Sequence, residues 1–242
     1  LESQLLESGR GRNAMIRTIA FDADDTLWHN ETYYREAEQW FQRLLAPCHD
    51  EAWIQERLFA AEMRNLAHFG YGIKSFVLSM IETAVELTEG RVSGSEIQRI
   101  LDLGKEMLAH PVEPLPQVRE TLEALQGRYR LLVITKGDLL DQESKLARSG
   151  LGSFFAGLEV VSEKDEAAYR GILARRDLDP TEFLMVGNSV KSDILPVVAL
   201  GAQAVHIPYA TTWIHEQVED VGPASFATLE HVGFLPGWLE GR

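Results

Sequence analysis

The chain has 242 residues, 45% hydrophobic and 25% charged, which is ordinary globular usage and excludes the disordered and collagen-like classes. Its 23 basic and 37 acidic residues give a net charge of −14, which argues against holding nucleic acid or an anionic membrane by bulk electrostatics but leaves room for a phosphorylated small molecule. A single cysteine, Cys48, excludes an internal disulfide or multi-cysteine zinc site, and no apolar run reaches the roughly 18 residues of a membrane helix, so the composition reads as a soluble cytoplasmic protein.

Residues 1–14 are polar, lack the apolar stretch of a secretory signal and precede Met15, so they read as a leader or expression scar outside the fold. Residues 16–21 form a short apolar run that stops at Asp22. From about residue 32 to 110 helical periodicity takes over. Tyr34, Ala37, Trp40, Phe41, Leu44 and Leu45 make one stripe, and Ile73, Phe76, Val77, Met80, Ile81 and Ala84 make a second. Ser93 and Glu96 have capping-box spacing ahead of a third segment carrying Ile97, Ile100, Leu101 and Leu108. Pro111, Pro114 and Pro116 mark the return to alternating structure.

Beyond them, short apolar runs at 131–134, 158–161 (the weakest), 183–186 and 204–207 alternate with predicted helices at 138–148, 165–176 and 190–200. Runs of this length and β-branched content fit strands buried on both faces of a parallel sheet. The pattern predicts a doubly wound α/β core at 15–31 and 113–242, with a helical bundle at 32–112 inserted after the first strand. Ligands of such sheets sit beyond the carboxyl ends of the strands.

Polar residues gather at those ends. In Asp22-Ala23-Asp24-Asp25-Thr26, residues two apart in an extended chain point to one side, so Asp22 and Asp24 can converge on one ligand. An ionised aspartate can attack an electrophile without a base to activate it. A neighbouring carboxyl held protonated by like-charge repulsion can hand a proton to a leaving group. In Thr135-Lys136-Gly137-Asp138 a hydroxyl and helix-starting N–H groups can hold anionic oxygens, with Asp138 as an alternative helix cap. Lys164 can neutralise a phosphoryl group and the attacking carboxylate, and Lys136 competes for that task. Asn188 and Asp193, in Gly187-Asn188-Ser189-Val190-Lys191-Ser192-Asp193, offer hard oxygen ligands suited to Mg²⁺.

This ordered set resembles the haloacid dehalogenase superfamily over residues 15–207. The first motif, D-x-D-x-T after an apolar run, is matched by Asp22 to Thr26; Thr135 resembles the second-motif hydroxyl, Lys164 the third-motif lysine, and Gly187-Asn188 through Asp193 the fourth motif. The insertion resembles the superfamily's helical C1 cap. The resemblance implies a Mg²⁺-dependent hydrolase of small phosphate monoesters, working through an aspartyl-phosphate. Asp22 would be the nucleophile and Asp24 the acid and base. Thr135, Lys164, Lys136 and Asp24 would surround the phosphoryl group. Asp22, Asp24 (through its carbonyl), Asn188 and Asp193 would hold the metal.

Asn188 departs from the aspartate of many relatives and brings no charge. The haloacid dehalogenases proper lack the second aspartate, so Asp24 favours phosphate chemistry. A dehalogenase, a phosphomutase or a catalytically weak interaction protein are the alternatives on this fold. A two-component receiver domain shares the residue types, but it is about half this length, and no strand-ending aspartate lies here between Asp25 and Thr135. Substrate choice is expected in the insertion, where Arg64, His68, Tyr71 and Lys74 flank a glycine-rich turn. Trp28 and His29 are expected at the entrance or in the core. The expected partner is a small phosphorylated metabolite, with neither nucleic acid nor membrane, and the chain acts as monomer or homodimer.

Overall fold

The computed structural model describes residues 15–211, 213–216 and 224–241. The leader expected at 1–14 lies outside the described residues. In chain order the elements are β1 (Thr18–Phe21), α1 (Glu31–Leu45), α2 (Glu51–Phe69), α3 (Ile73–Leu87), α4 (Gly94–Ala109), α5 (Val118–Leu125) and β2 (Arg130–Lys136). There follow α6 (Leu139–Arg148), β3 (Leu158–Val161), α7 (Glu166–Arg175), β4 (Phe183–Gly187), α8 (Leu195–Ala199), β5 (Gln203–His206), β6 (Ala227–Thr228) and α9 (Leu235–Glu240).

Among the described residues, six strands form one parallel sheet in the order β3-β2-β1-β4-β5-β6. Phe21 of β1 is in register with Val133 of β2 and Val186 of β4. Successive side chains leave opposite faces of a strand, and the two apolar layers follow that rule. Ile19, Phe21, Leu131, Val133, Leu184 and Val186 pack on one side with Val118, Leu122 and Leu235. Ala20, Leu132, Ile134, Phe183 and Met185 pack on the other with Tyr169, Ile172 and Val197. The chain runs outward from β1 to β3 and then crosses to β4, so the strand order reverses beside β1. A crevice opens where it does.

Helices α1 to α4 lie between β1 and β2 in sequence and share an apolar cluster of their own, centred on Phe41, Ile54, Met80 and Ile100. Both predicted stripes supply it, and the Ser93–Glu96 capping box closes the start of α4. At roughly 1.5–3 kcal/mol per fully buried large side chain, this cluster can hold the four helices as a unit.

One helix is expected over 190–200 from the sequence, whereas the chain makes a π-helical turn at Val190–Ile194 before α8. Pro196 has no N–H to give the Ser192 carbonyl four residues earlier. That carbonyl accepts instead from the Tyr169 hydroxyl at 3.1 Å. The two-residue β6 and the helices α5 and α9 have no counterpart among the predicted elements.

Candidate active site

Asp22 follows the last residue of β1, Thr135 and Lys136 close β2, Lys164 lies in the loop between β3 and α7, and Asn188 follows β4. Parallel strands bring these ends to one edge. Asp22, Asp24, Thr135, Lys136, Lys164, Asn188 and Asp193 all line a single cavity of about 190 Å³. The seven residues expected around a phosphoryl group and a metal therefore share one cavity.

Lys164, 4% exposed, is the centre of this edge. Its ammonium donates to the Asp22 carboxylate and, at 2.7 Å, to Asp193 Oδ1. Burial works to discharge the ammonium, but the Asp193 and Asp22 carboxylates outweigh it and hold its pKa above the ordinary lysine value. Burial in turn pushes Asp22 up, with Lys164 opposing and Asp193 adding to the rise. Thr26 Oγ1 is 3.2 Å from both Asp22 Oδ2 and Asn188 Oδ1, linking the first motif to the fourth. The π turn presents Asp193 back toward β4, where its Oδ2 accepts from the Ser189 N–H at 2.9 Å. Gly187 is needed for that approach: a Cβ there would lie 2.3 Å from the Asp193 carboxyl carbon.

Asp24 is held differently. Oδ1 accepts from Trp28 Nε1 at 2.7 Å and Lys145 Nζ at 3.0 Å, and Oδ2 accepts from Gln142 Nε2 at 2.8 Å. Asp25 turns the chain toward the insertion with a left-handed φ of 63°. Its carboxylate accepts from the N–H groups of Asn30 (2.9 Å) and Glu31 (3.1 Å) and so caps the start of α1. Asp138, the expected alternative cap, accepts from the Asp141 N–H and starts α6, while Thr135 Oγ1 donates to the Lys136 carbonyl at 3.2 Å.

Lys136 is paired with Glu216, its ammonium 4.4 Å from the centre of the Tyr71 ring. It is therefore Lys164, not Lys136, that contacts Asp22. Glu216 also accepts from the Ser189 and Ser192 hydroxyls. Burial alone would raise Glu216, but Lys136 and the two serines outweigh it and bring its pKa down to about 2 from 4.5. A depressed carboxylate adds stability that is complete above the unfolded value and is lost as pH falls through the folded one. Glu216→Gln is expected to cost about 2–3 kcal/mol at pH 7. In urea titrations across a pH series, the gap to the parent should narrow as pH falls below about 4.5.

The insertion covers this edge through the turn between α2 and α3. Gly70 and Gly72 both take positive φ (69° and 111°) and place Tyr71 against the core. The Tyr71 hydroxyl donates to Glu163 at 2.7 Å, and Lys74 ties α3 to Asp138 at 2.9 Å. Tyr71 lines the cavity. Arg64 and His68 belong to α2 rather than to a loop, because the helix continues to Phe69. Arg64 is spent on Glu82 of α3, and His68 lies against Phe69; neither lines the cavity. Trp28 is 1% exposed in the core, and His29 contacts the Tyr209 hydroxyl at 2.7 Å beside a smaller cavity.

Gln142, Lys145 and Glu216 also line the cavity and were not among the residues expected from the sequence. For the first two the sequence misleads, because the adjacent leucines of α6 suggest the wrong face as buried. Leu139 and Leu140 are 58% and 68% exposed while Asp141, Gln142 and Lys145 are buried.

Among the described residues, no three His, Cys, Asp or Glu side chains converge as metal ligands on their own. The available set is two carboxylates brought together by Lys164 and an amide oxygen joined to Asp22 through Thr26. Few carboxylates and otherwise neutral hard oxygens suit Mg²⁺, which keeps several of its waters.

The sequence pattern described as haloacid dehalogenase-like hydrolase matches residues 16–201. A solved haloacid dehalogenase-like family hydrolase from Xanthomonas campestris is 42% identical, with a TM-score of 0.84 over 93% of this chain and 91% of that one. The glyceraldehyde 3-phosphate phosphatase of Methanothermobacter thermautotrophicus is 24% identical over 79% of this chain and 85% of that protein. The pyrimidine 5'-nucleotidase YjjG of Escherichia coli K12 is 28% identical over 58% of this chain and 67% of that protein.

Proposed function

Because the chain belongs to the haloacid dehalogenase-like hydrolase family, we propose that it cleaves small phosphate monoesters with Mg²⁺ through an aspartyl-phosphate on Asp22. The observation that carries this reading is the buried Lys164 ammonium held between the Asp22 and Asp193 carboxylates. A nucleophile there has its charge balanced before an anionic substrate arrives. Two unit charges about 4 Å apart interact by roughly 4 kcal/mol at an effective dielectric near 20, so unbalanced carboxylates would repel a phosphate strongly.

In the reaction, an Asp22 oxygen bonds to phosphorus as the bond to the alcohol oxygen breaks, and Asp24 delivers its proton to that oxygen. Lys164 and Thr135 hold the equatorial oxygens, where charge spreads during transfer. A water then attacks phosphorus, Asp24 takes its proton, and the Asp22 carboxylate leaves. Asp22, Asn188, Asp193 and the Asp24 carbonyl would hold Mg²⁺, which supplies further positive charge for the phosphoryl oxygens. The insertion acts as a cap that excludes water from this edge.

The cap wall narrows the substrate. Glu31, Glu38 and Glu62 line the cavity. Burial, then neighbouring acids, raises Glu31 and Glu62 to about 8. Of the three lysines lining the cavity, Lys164 serves the phosphoryl group, Lys136 is held by Glu216 and Lys145 by Asp24. No other described cation lines the cavity for a second anionic group, so the alcohol half of the substrate is neutral or cationic and carries hydrogen-bonding groups.

Phosphate release from a panel of phosphorylated metabolites, with Mg²⁺ and with chelator, tests both points. The panel includes 2-hydroxyethyl phosphate, phosphoethanolamine and phosphoglycolate, which differ mainly in the charge of the alcohol half. Turnover should need Mg²⁺, and kcat/KM for the first two should exceed that of phosphoglycolate by at least about tenfold. Folded protein that releases no phosphate from any member would overturn the phosphohydrolase reading; a preference for phosphoglycolate would overturn the charge reading alone.

A further inference from the structure

We propose that Lys145, assisted by Gln142, is the positioning residue that aims Asp24 at the leaving group and ties it to the root of the cap. This inference rests on the phosphohydrolase reading of the same site. Lys145 is 8% exposed on the inward face of α6. Its Nζ lies 3.0 and 3.2 Å from the two Asp24 oxygens, 2.9 Å from Asn30 Oδ1 and 3.6 Å from Asp141. Asn30 sits immediately before α1, where Asp25 also grips the backbone.

One ammonium thus spans the proton-transfer residue and the point where the chain enters the insertion. Gln142 donates from the same amide nitrogen to Asp24 Oδ2 and, at 3.1 Å, to the Lys136 carbonyl. Both Asp24 oxygens are therefore fixed from α6, and the carboxyl plane cannot rotate without breaking one of these bonds. The Gln142 side-chain oxygen is buried without a hydrogen-bond partner although the residue lines the cavity. A buried acceptor left open is costly, and the hydroxyl of a bound substrate or a water would satisfy it beside Asp24.

Lys145 touches no reacting atom in this scheme; it acts through Asp24. Its loss should appear where the leaving oxygen needs a proton and much less where it does not. The test is the single-turnover rate of alcohol release, with Mg²⁺, from 4-nitrophenyl phosphate and from 2-hydroxyethyl phosphate, in parent, Lys145→Met and Lys145→Arg. Lys145→Met should lose about 100-fold or more on the alkyl ester and less than about tenfold on the nitrophenyl ester. Lys145→Arg, which can donate to both Asp24 oxygens, should recover most of the alkyl-ester rate. If Lys145→Met fails to fold, Gln142→Leu carries the same test and should show the same selective loss at about tenfold. Equal losses on both esters, or none on either, would overturn the inference while leaving the phosphohydrolase reading intact. A parent protein that cleaves neither these two esters nor any member of the metabolite panel would overturn both.

Discussion

Asp22→Asn is expected to reduce phosphate release by about 10⁴-fold or more while leaving the fold intact. The amide is a poor nucleophile and cannot form the mixed anhydride with phosphate. Its side-chain oxygen can still accept from Lys164, which keeps Asp193 as a counter-charge, and its NH2 can donate to the Thr26 hydroxyl, which keeps its own donation to Asn188. Removing a buried carboxylate whose pKa burial already raises also relieves a desolvation cost. The variant should therefore unfold in urea within about 1 kcal/mol of the parent. A folded Asp22→Asn protein that retains a tenth of the parent's turnover would remove Asp22 from the chemistry.

The second large effect belongs to Lys164. Replacing it with Gln leaves Asp22 and Asp193 facing each other, both buried, with no counter-charge. Breaking a buried ion pair from one side costs about 3–5 kcal/mol, more than removing the whole group would. In metal-free buffer at pH 7 the urea midpoint should fall accordingly, and turnover should fall by about 10³-fold. Added Mg²⁺ should recover part of the stability, since it too can balance the two carboxylates, but not the rate. Unchanged stability without metal would mean that the two acids do not share the buried lysine.

What was legible in the sequence is what strands and their ends encode. The apolar runs of β1, β2, β4 and β5 are buried on both faces, so their β-branched stretches announce them, and the residue after each run falls at the crevice by topology alone. That is why Asp22, Thr135, Lys164, Asn188 and Asp193 could be placed together before any coordinates. Lys164 was the least distinctive of them, a lysine after a weak strand, and only its burial between two carboxylates separates it from Lys136. The break before α8 comes from one missing N–H at Pro196 and its replacement by a hydroxyl from a distant helix, Tyr169. No local pattern shows that exchange. Glu216 comes from a stretch without apolar periodicity, and its role depends on Lys136, Ser189 and Ser192 arriving from other elements. Lys145 and Gln142 were not legible, because the adjacent leucines of α6 read as its buried face and only the structure shows them exposed with the polar residues inside.

The central claim is that phosphate passes through Asp22, and trapping that intermediate tests it most directly. Protein mixed with Mg²⁺ and its best ester from the panel is quenched in acid during turnover, digested, and the peptide spanning residues 18–29 weighed. A phosphoryl group on Asp22, absent from the Asp22→Asn protein and removed by hydroxylamine as an acyl phosphate must be, is the predicted result. Phosphate release with no label on Asp22, or with the label on another residue, would contradict the mechanism.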